Sequence, residues 1–228
     1  MATTDWFSDP SGLRVLDAER LWVERQLATV CRNDFLQIGG PSDDSFIEKS
    51  RVMRAFFLAA APPFSLKTPS IQSRVDALPV RSNTMDIVLS LHTLENVSAI
   101  EPAIADIYRV LKPEGVTLIT GFQRFGLWRL WDRFLSQALF PKNIHFYSVD
   151  YITHILQAQG FVVESQQTAC FRLPSQKKGW LFLETLGQLL LPYHGAVYMI
   201  TATKKELGIT PLFEPLFVKK ISTRVCNT

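Results

Sequence analysis

Residues 85–122 constrain the fold most tightly. The run MDIVLSL, from Met85 to Leu91, is nearly continuous in apolar residues. That is the pattern of a strand buried on both faces. An amphipathic stretch from Ala99 to Leu111 follows, with Ser98 placed to cap its start, and it ends at Lys112-Pro113-Glu114-Gly115, where proline and glycine forbid continuation. VTLITGF, from Val116 to Phe122, is then a second buried strand. A strand, a helix and a strand in that order form a right-handed crossover between parallel neighbours.

The rest of the chain repeats the alternation. Leu13 to Val30 reads as an amphipathic helix, with Leu16, Leu21, Trp22, Val23, Leu27 and Val30 among charged residues. Short strands are expected at Phe35–Ile38, ending in Gly39-Gly40, at Ala55–Ala60, stopped by Pro62-Pro63, and at Arg74–Asp76. Leu127 to Leu139 reads as an aromatic-rich helix. Ser148 caps a helix running to Gln159, with Gly160 as its stop. Phe161–Ser165 and Ala196–Thr203 are strands, and Leu181–Leu191 is a helix closed by Pro192.

The alternation predicts an α/β fold, an open and mostly parallel sheet with helices on both faces. Three segments are expected: an N-terminal helical segment (1–30), the main domain (31–205) and a C-terminal tail (206–228). Ligands of such sheets bind at the carboxyl ends of the strands, where strand order reverses. The residues to read closely are therefore Gly39-Gly40, Ala59 to Pro62, Asp76-Ala77-Leu78, Leu91-His92 and Phe122-Gln123.

Composition excludes several classes of function. The net charge of +3 comes without a dense Lys/Arg run, so no nucleic-acid partner is expected. Cys31, Cys170 and Cys226 show no CxxC spacing, which argues against a zinc site or a disulfide framework and fits a reducing cytoplasm. His92, His145, His154 and His194 have no helical pair spacing, so no metal is expected. The most apolar stretch, residues 180–200, is interrupted by Glu184, Gly187, Pro192, His194 and Gly195, and falls short of the ~18 uninterrupted apolar residues of a membrane span. The first residues lack the basic-then-apolar order of a signal peptide.

Two blocks carry a family resemblance. Asp76-Ala77-Leu78-Pro79, Asp86-Ile87-Val88, His92-Thr93-Leu94-Glu95 and Arg109-Val110-Leu111-Lys112-Pro113-Glu114-Gly115 fall in one order. In that order they resemble the motifs of class I S-adenosylmethionine-dependent methyltransferases. GFQRFGLWRLWDRF, the opening DWFSDPSGLRVLDAE and the GAVYMITATKK ending are similar to a divergent bacterial branch, the YafS-like methyltransferases. The resemblance implies a Rossmann-like methyltransferase fold, a seven-stranded sheet in the order 3-2-1-4-5-7-6 with its last strand antiparallel. It implies S-adenosylmethionine as cofactor.

The cofactor loop departs from the family pattern. In Asp/Glu-x-Gly-x-Gly-x-Gly the acidic slot falls at Gln37 and the first glycine at Gly39. The later glycines fall near Pro41 and Asp43, with Gly40 as an out-of-register substitute. Glycine matters there because it accepts positive φ and lets the backbone approach a ligand. Between Arg51 and Gln72 there is no Asp or Glu to bind ribose hydroxyls at the end of the second strand. Such a charge-assisted bond is worth roughly 1.5–3 kcal/mol, a tenfold to hundredfold change in affinity. Asp43 or Asp44 would compensate, unless both are solvated loop acids. Asp76, with Ala77 and Leu78 beside it, matches the family's adenine-side acid. Leu91 and His92 complete the expected cofactor set.

His92 is the candidate base, with Glu95 one helical turn later; the alternative is a histidine packed structurally in its turn. His145 and Tyr147 precede the Ser148-capped helix and would line the acceptor side. Residues 125–140 place Leu127, Leu130, Trp131, Phe134 and Ala138 along one face, with Trp128, Arg129 and Arg133 beside them. Such a helix admits a lipophilic acceptor, touches a membrane surface, or simply packs on the sheet. The leading expectation is methyl transfer from S-adenosylmethionine to a small or lipophilic acceptor. The rival is an inactive methyltransferase-fold binding module or a regulatory subunit of a homo- or heterodimer. A nicotinamide dehydrogenase is the weakest reading, because the glycine fingerprint and the ribose acid are both poor.

Overall fold

The computed structural model describes residues 6–28, 33–41, 44–46, 52–59, 69–129, 132, 140–141, 144–171 and 194–206. Helix α1 (Pro10–Ala28) precedes β1 (Asp34–Gly39), β2 (Arg54–Ala59), β3 (Ser70–Gln72) and β4 (Met85–Leu91). Helix α2 (Ile100–Val110), β5 (Leu111–Phe122), α3 (Val149–Ala158), β6 (Phe161–Ala169) and β7 (Val197–Lys204) follow. The strands form one seven-stranded sheet in the order β3-β2-β1-β4-β5-β7-β6. All pairs are parallel except those of β7, which runs antiparallel to both β5 and β6. The order reverses between β1 and β4, which are hydrogen-bonded neighbours.

Strand alternation sorts the core into two layers. Leu36, Ile38, Val88, Ile119 and Ile200 face α2 and α3 through Ile104, Ile107, Ile152 and Leu156. Phe35, Ile87, Leu89, Leu118 and Met199 face the other way, onto Val15, Leu16, Trp22, Val23 and Leu27 of α1. Every residue of β4 and β7 is buried, as strands covered on both faces must be.

Some local expectations are corrected. Helix α1 starts at Pro10 rather than Leu13. Proline suits a first helical position, where its missing N–H would have no partner, and the Asp9 carbonyl accepts from Leu13 N at 2.9 Å. The third strand is Ser70–Gln72. Residues 74–76, expected as that strand, form a turn in which Ala77 N donates to the Arg74 carbonyl. Ser98 does not cap α2; Ala99 holds that position without a side-chain bond. Ser148 does cap α3, accepting from Tyr151 N, and Gly160 ends it at φ +101°. The Lys-Pro-Glu-Gly segment is not a loop but a bulge inside β5: pairing steps from Met85↔Leu111 to Ile87↔Val116, with Glu114 at φ +61°. Strand β6 runs on to Ala169, beyond the expected Ser165. Of the expected helix 127–139, only 127–129 and 132 are described. The expected helix 181–191 and the tail from residue 207 lie outside the described residues.

The motif residues hold the scaffold. Asp86 Oδ2 accepts from the N–H groups of Asn33 (3.2 Å) and Asp34 (3.0 Å) and from Lys112 Nζ (3.0 Å). Burial pushes this carboxyl up, but the Asp34 and Asn33 amides and Lys112 outweigh it and hold it below the usual carboxylate range. Arg109 pairs with Asp106 at 2.6 Å and donates to the carbonyls of Leu78 (3.0 Å) and Val80 (2.8 Å), fixing the segment after β3.

Candidate functional site

The carboxyl ends of β1 and β4 meet at one stitched corner. Gly39 and Gly40 leave β1 at φ +70° and +77°. A Cβ on Gly39 would lie 2.6 Å from Thr93 Oγ1 and 2.8 Å from the Leu91 carbonyl; one on Gly40 would lie 2.8 Å from Leu91 Cδ1. Both the dihedral and the close approach therefore require glycine. Thr93 Oγ1 donates to the Ile38 carbonyl at 2.9 Å. Gln37, in the acidic slot of the family pattern, is buried, and its amide donates to the carbonyls of Gly39 and Pro41. It braces the turn from within.

His92 follows β4 at φ +48°, a left-handed conformation uncommon for a residue with a Cβ. Its N–H bonds the Thr120 carbonyl, and its own carbonyl accepts from Asn96 Nδ2. The imidazole is enclosed. Nε2 lies 2.8 Å from Glu19 Oε1 of α1, and Nδ1 lies 3.1 Å from Glu95 Oε1. Phe122 packs on one side at 4.1 Å between ring centroids and Phe7 at 5.4 Å. Glu19, His92 and Glu95 are each no more than 2% exposed.

A ring with a carboxylate at each nitrogen donates twice, so it is an imidazolium. Burial alone would lower its pKa, but Glu19 and Glu95 raise it to about 10. Two acidic side chains thus flank one imidazole beneath the corner. Glu95 Oε1 also accepts from Phe122 N at 2.7 Å. Among the described residues, Glu19 Oε2, Glu95 Oε2 and the Tyr198 hydroxyl are buried with no hydrogen-bond partner. A buried arrangement this costly needs full compensation to persist.

On the far side of Glu95 opens a cavity of about 1190 Å³. The His145 N–H donates to the Glu95 carbonyl at 3.0 Å, and Arg124 N donates to the Tyr147 carbonyl at 3.1 Å, fastening the cavity wall to the end of β5. His145 and Tyr147 line it together with Arg124, Phe125, Arg129 and Tyr151. Burial, Tyr151 and nearby carboxylates push the Tyr147 phenol up, so it keeps its proton at neutral pH.

The corner thus brings Gln37, Gly39, Gly40, Leu91, His92 and Glu95 together, with His145 and Tyr147 on the adjoining wall. Asp76, Ala77 and Leu78 follow β3 and lead back toward the helix after β4, where Leu78 joins the core that holds Ile38 and Leu94. The Asp76 carboxylate is held by the Arg74 fork at 2.9 and 2.6 Å, which keeps it below the usual carboxylate range. Leu78 is buried, and its N–H donates to Asp106 Oδ2. Asp43 lies outside the described residues.

Sequence reasoning missed Glu19. Its signal is an acid on the buried stripe Val15, Leu16, Trp22 and Val23, where a glutamate is out of place without a partner.

A sheet in this order, with a glycine turn at its reversal point, decides the architecture. The fold is that of the class I methyltransferases. Residues 47–119 match the family model described as a methyltransferase domain. A Thermotoga maritima protein described as an S-adenosylmethionine-dependent methyltransferase, possibly a histamine N-methyltransferase, superposes with a TM-score of 0.58 at 17% identity, over 90% of this chain and 100% of that one. The putative methyltransferase bound to the Trm112 activator of Haloferax volcanii gives 0.61 at 14% identity, over 90% and 98%. The cyclase SpnF gives 0.58 at 14% identity, over 83% and 81%. No curated protein matches this chain by sequence. Within this fold, the Glu19–His92–Glu95 cluster lies under the β1–β4 corner and the 1190 Å³ cavity lies beside it.

Proposed function

We propose that this protein transfers a methyl group from S-adenosylmethionine to a small organic acceptor, with the donor at the β1–β4 corner and the acceptor in the adjoining cavity. The observation that carries the reading is the pairing of β1 with β4 at the reversal of strand order, with Gly39 and Gly40 both in left-handed conformation there. When bound, the cofactor supplies an electrophilic methyl group on a sulfonium. The residues present fit such a cation, since two acidic side chains, Glu19 and Glu95, lie buried beneath the corner. Gly39 and Gly40 would offer backbone to it, and Asp76 a carboxylate on the adenine side.

His92 is a positioning residue on this reading. An imidazolium with a pKa of about 10 already holds its proton at neutral pH and has none to accept. It keeps the β4 turn in its left-handed conformation and ties that turn to α1. His145 and Tyr147 line the acceptor side and supply the groups that hold or move a proton there. Catalysis then rests chiefly on placing donor and acceptor in line, which alone contributes about 7–11 kcal/mol in favourable systems. The finer placement in the YafS-like branch is supported by the opening around Trp6 and the segment after β5.

Titration calorimetry with S-adenosylmethionine and S-adenosylhomocysteine tests the reading. Binding weaker than that of an intact family loop is expected, by about tenfold to hundredfold for the missing ribose acid. No heat and no thermal shift at millimolar ligand would refute it.

A further inference from the structure

The cavity beside the corner has its own chemistry. Its aromatic side is a ladder: His145 to Tyr147 spans 6.4 Å between ring centroids at a tilt of 31°, and Tyr147 to Tyr151 spans 5.8 Å at 20°. The second pair is stacked and the first tilted, and aromatic faces of this kind pack against planar rings. Its charge is uneven. Among the described residues Arg124 and Arg129 line it with one carboxylate, Asp132, which stands 3.9 Å from Arg129, while Glu101 accepts from the Tyr151 hydroxyl at 3.2 Å. Arg124 has no carboxylate partner among the described residues. Its guanidinium lies 5.6 Å over the ring of Phe125, itself 65% exposed. A guanidinium resting on an aromatic face keeps its N–H fork free at the edge, the geometry that binds a carboxylate with two parallel bonds.

We propose that this cavity selects planar aromatic molecules bearing an anionic group, the ring stacked on the His145–Tyr147–Tyr151 ladder and the anion met by Arg124. As the acceptor class, this rests on the methyltransferase reading; as a binding preference, it stands without it. The volume exceeds what a single-ring acid needs, so the site also admits larger aromatic acids.

Calorimetric titrations at low salt with 4-hydroxybenzoate, 4-hydroxybenzyl alcohol, tyramine and cyclohexanecarboxylate test the inference, each with and without S-adenosylhomocysteine. The expected result is 4-hydroxybenzoate at least tenfold tighter than the other three. In Arg124→Gln the preference over the alcohol disappears while the melting temperature is unchanged, because Arg124 is exposed. In Tyr147→Leu the preference over cyclohexanecarboxylate disappears. Equal binding of the alcohol or the amine, or no binding of any probe, overturns the inference. If S-adenosylhomocysteine binds and 4-hydroxybenzoate does not, the inference fails and the methyltransferase reading survives. The opposite result removes the cofactor and leaves the aromatic-acid site.

Discussion

At the residue scale, one imidazole organises the corner. His92 gains its proton affinity from Glu19 and Glu95, against the opposing effect of burial. Because its folded pKa of about 10 lies above the ordinary 6.5, its contribution to stability is complete below about pH 6.5 and is lost as the pH rises through 10. Each pH unit crossed in that window removes up to about 1.4 kcal/mol. Urea midpoints should therefore fall steadily from pH 6.5 to 9.5. In Glu19→Gln the imidazolium keeps one carboxylate, its pKa falls back toward 6.5, and the fall in midpoint flattens. An equal slope in both proteins would assign the pH effect to other groups. Glu19→Gln should also cost stability at neutral pH, about 1.5–3 kcal/mol for the lost charge-assisted bond at Nε2.

At the element scale, β5 and β7 are packed to contact around the same cluster. A Cβ on Gly121 of β5 would run into the Tyr198 hydroxyl of β7 and come within 2.8 Å of Glu95 Oε1. Neither neighbour is the free end of an exposed chain; both are buried. Gly121→Ala should thus lower stability by about 1–3 kcal/mol, as overpacking does, in urea unfolding followed by tryptophan fluorescence. An unchanged midpoint would mean that Tyr198 has room to swing away.

Elements were legible in the sequence where local pattern decided them. The apolar runs of β4 and β5, the Ser148 cap and the Gly160 stop act over a few residues, and each is found in the fold. The third strand and the Lys-Pro-Glu-Gly bulge were misread for a common reason. Both are set by pairing across the sheet, with Ser70–Gln72 beside β2 and Leu111 beside Met85, and no short window contains those partners. The most recognisable motif residues, Asp86, Arg109 and Lys112, turned out to clamp amides, carbonyls and carboxylates of the scaffold. They were readable through the family resemblance, although their partners lie 26 to 78 positions away. The partner of His92 was not, because Glu19 lies 73 positions away and belongs to none of the recognised motifs.

At the scale of the whole molecule, α1 is one of the sheet's two covering layers rather than an appendage. Its stripe closes over Phe35, Ile87 and Leu89, and Glu19 reaches the β4 turn from it. Removal of residues 1–28 should expose that apolar face and leave His92 with one carboxylate. The shortened chain is expected to aggregate or to lose its near-ultraviolet circular dichroism. A soluble truncated chain with a cooperative melt would show that residues 31–205 stand alone. No helix among the described residues is long and apolar enough to cross a membrane.

The 73-residue gap between Glu19 and His92 also sets a schedule for biosynthesis. At about 5–20 residues per second, roughly 4–15 s separate the translation of the acid from that of its counter-ion. Through that interval the first helix emerges from the ribosome with an unneutralised glutamate on its greasy side, so it cannot dock early without burying a bare charge. The acid would hold the nascent helix in solvent until the fourth strand arrives, and so delay the closing of the core until the corner can be completed.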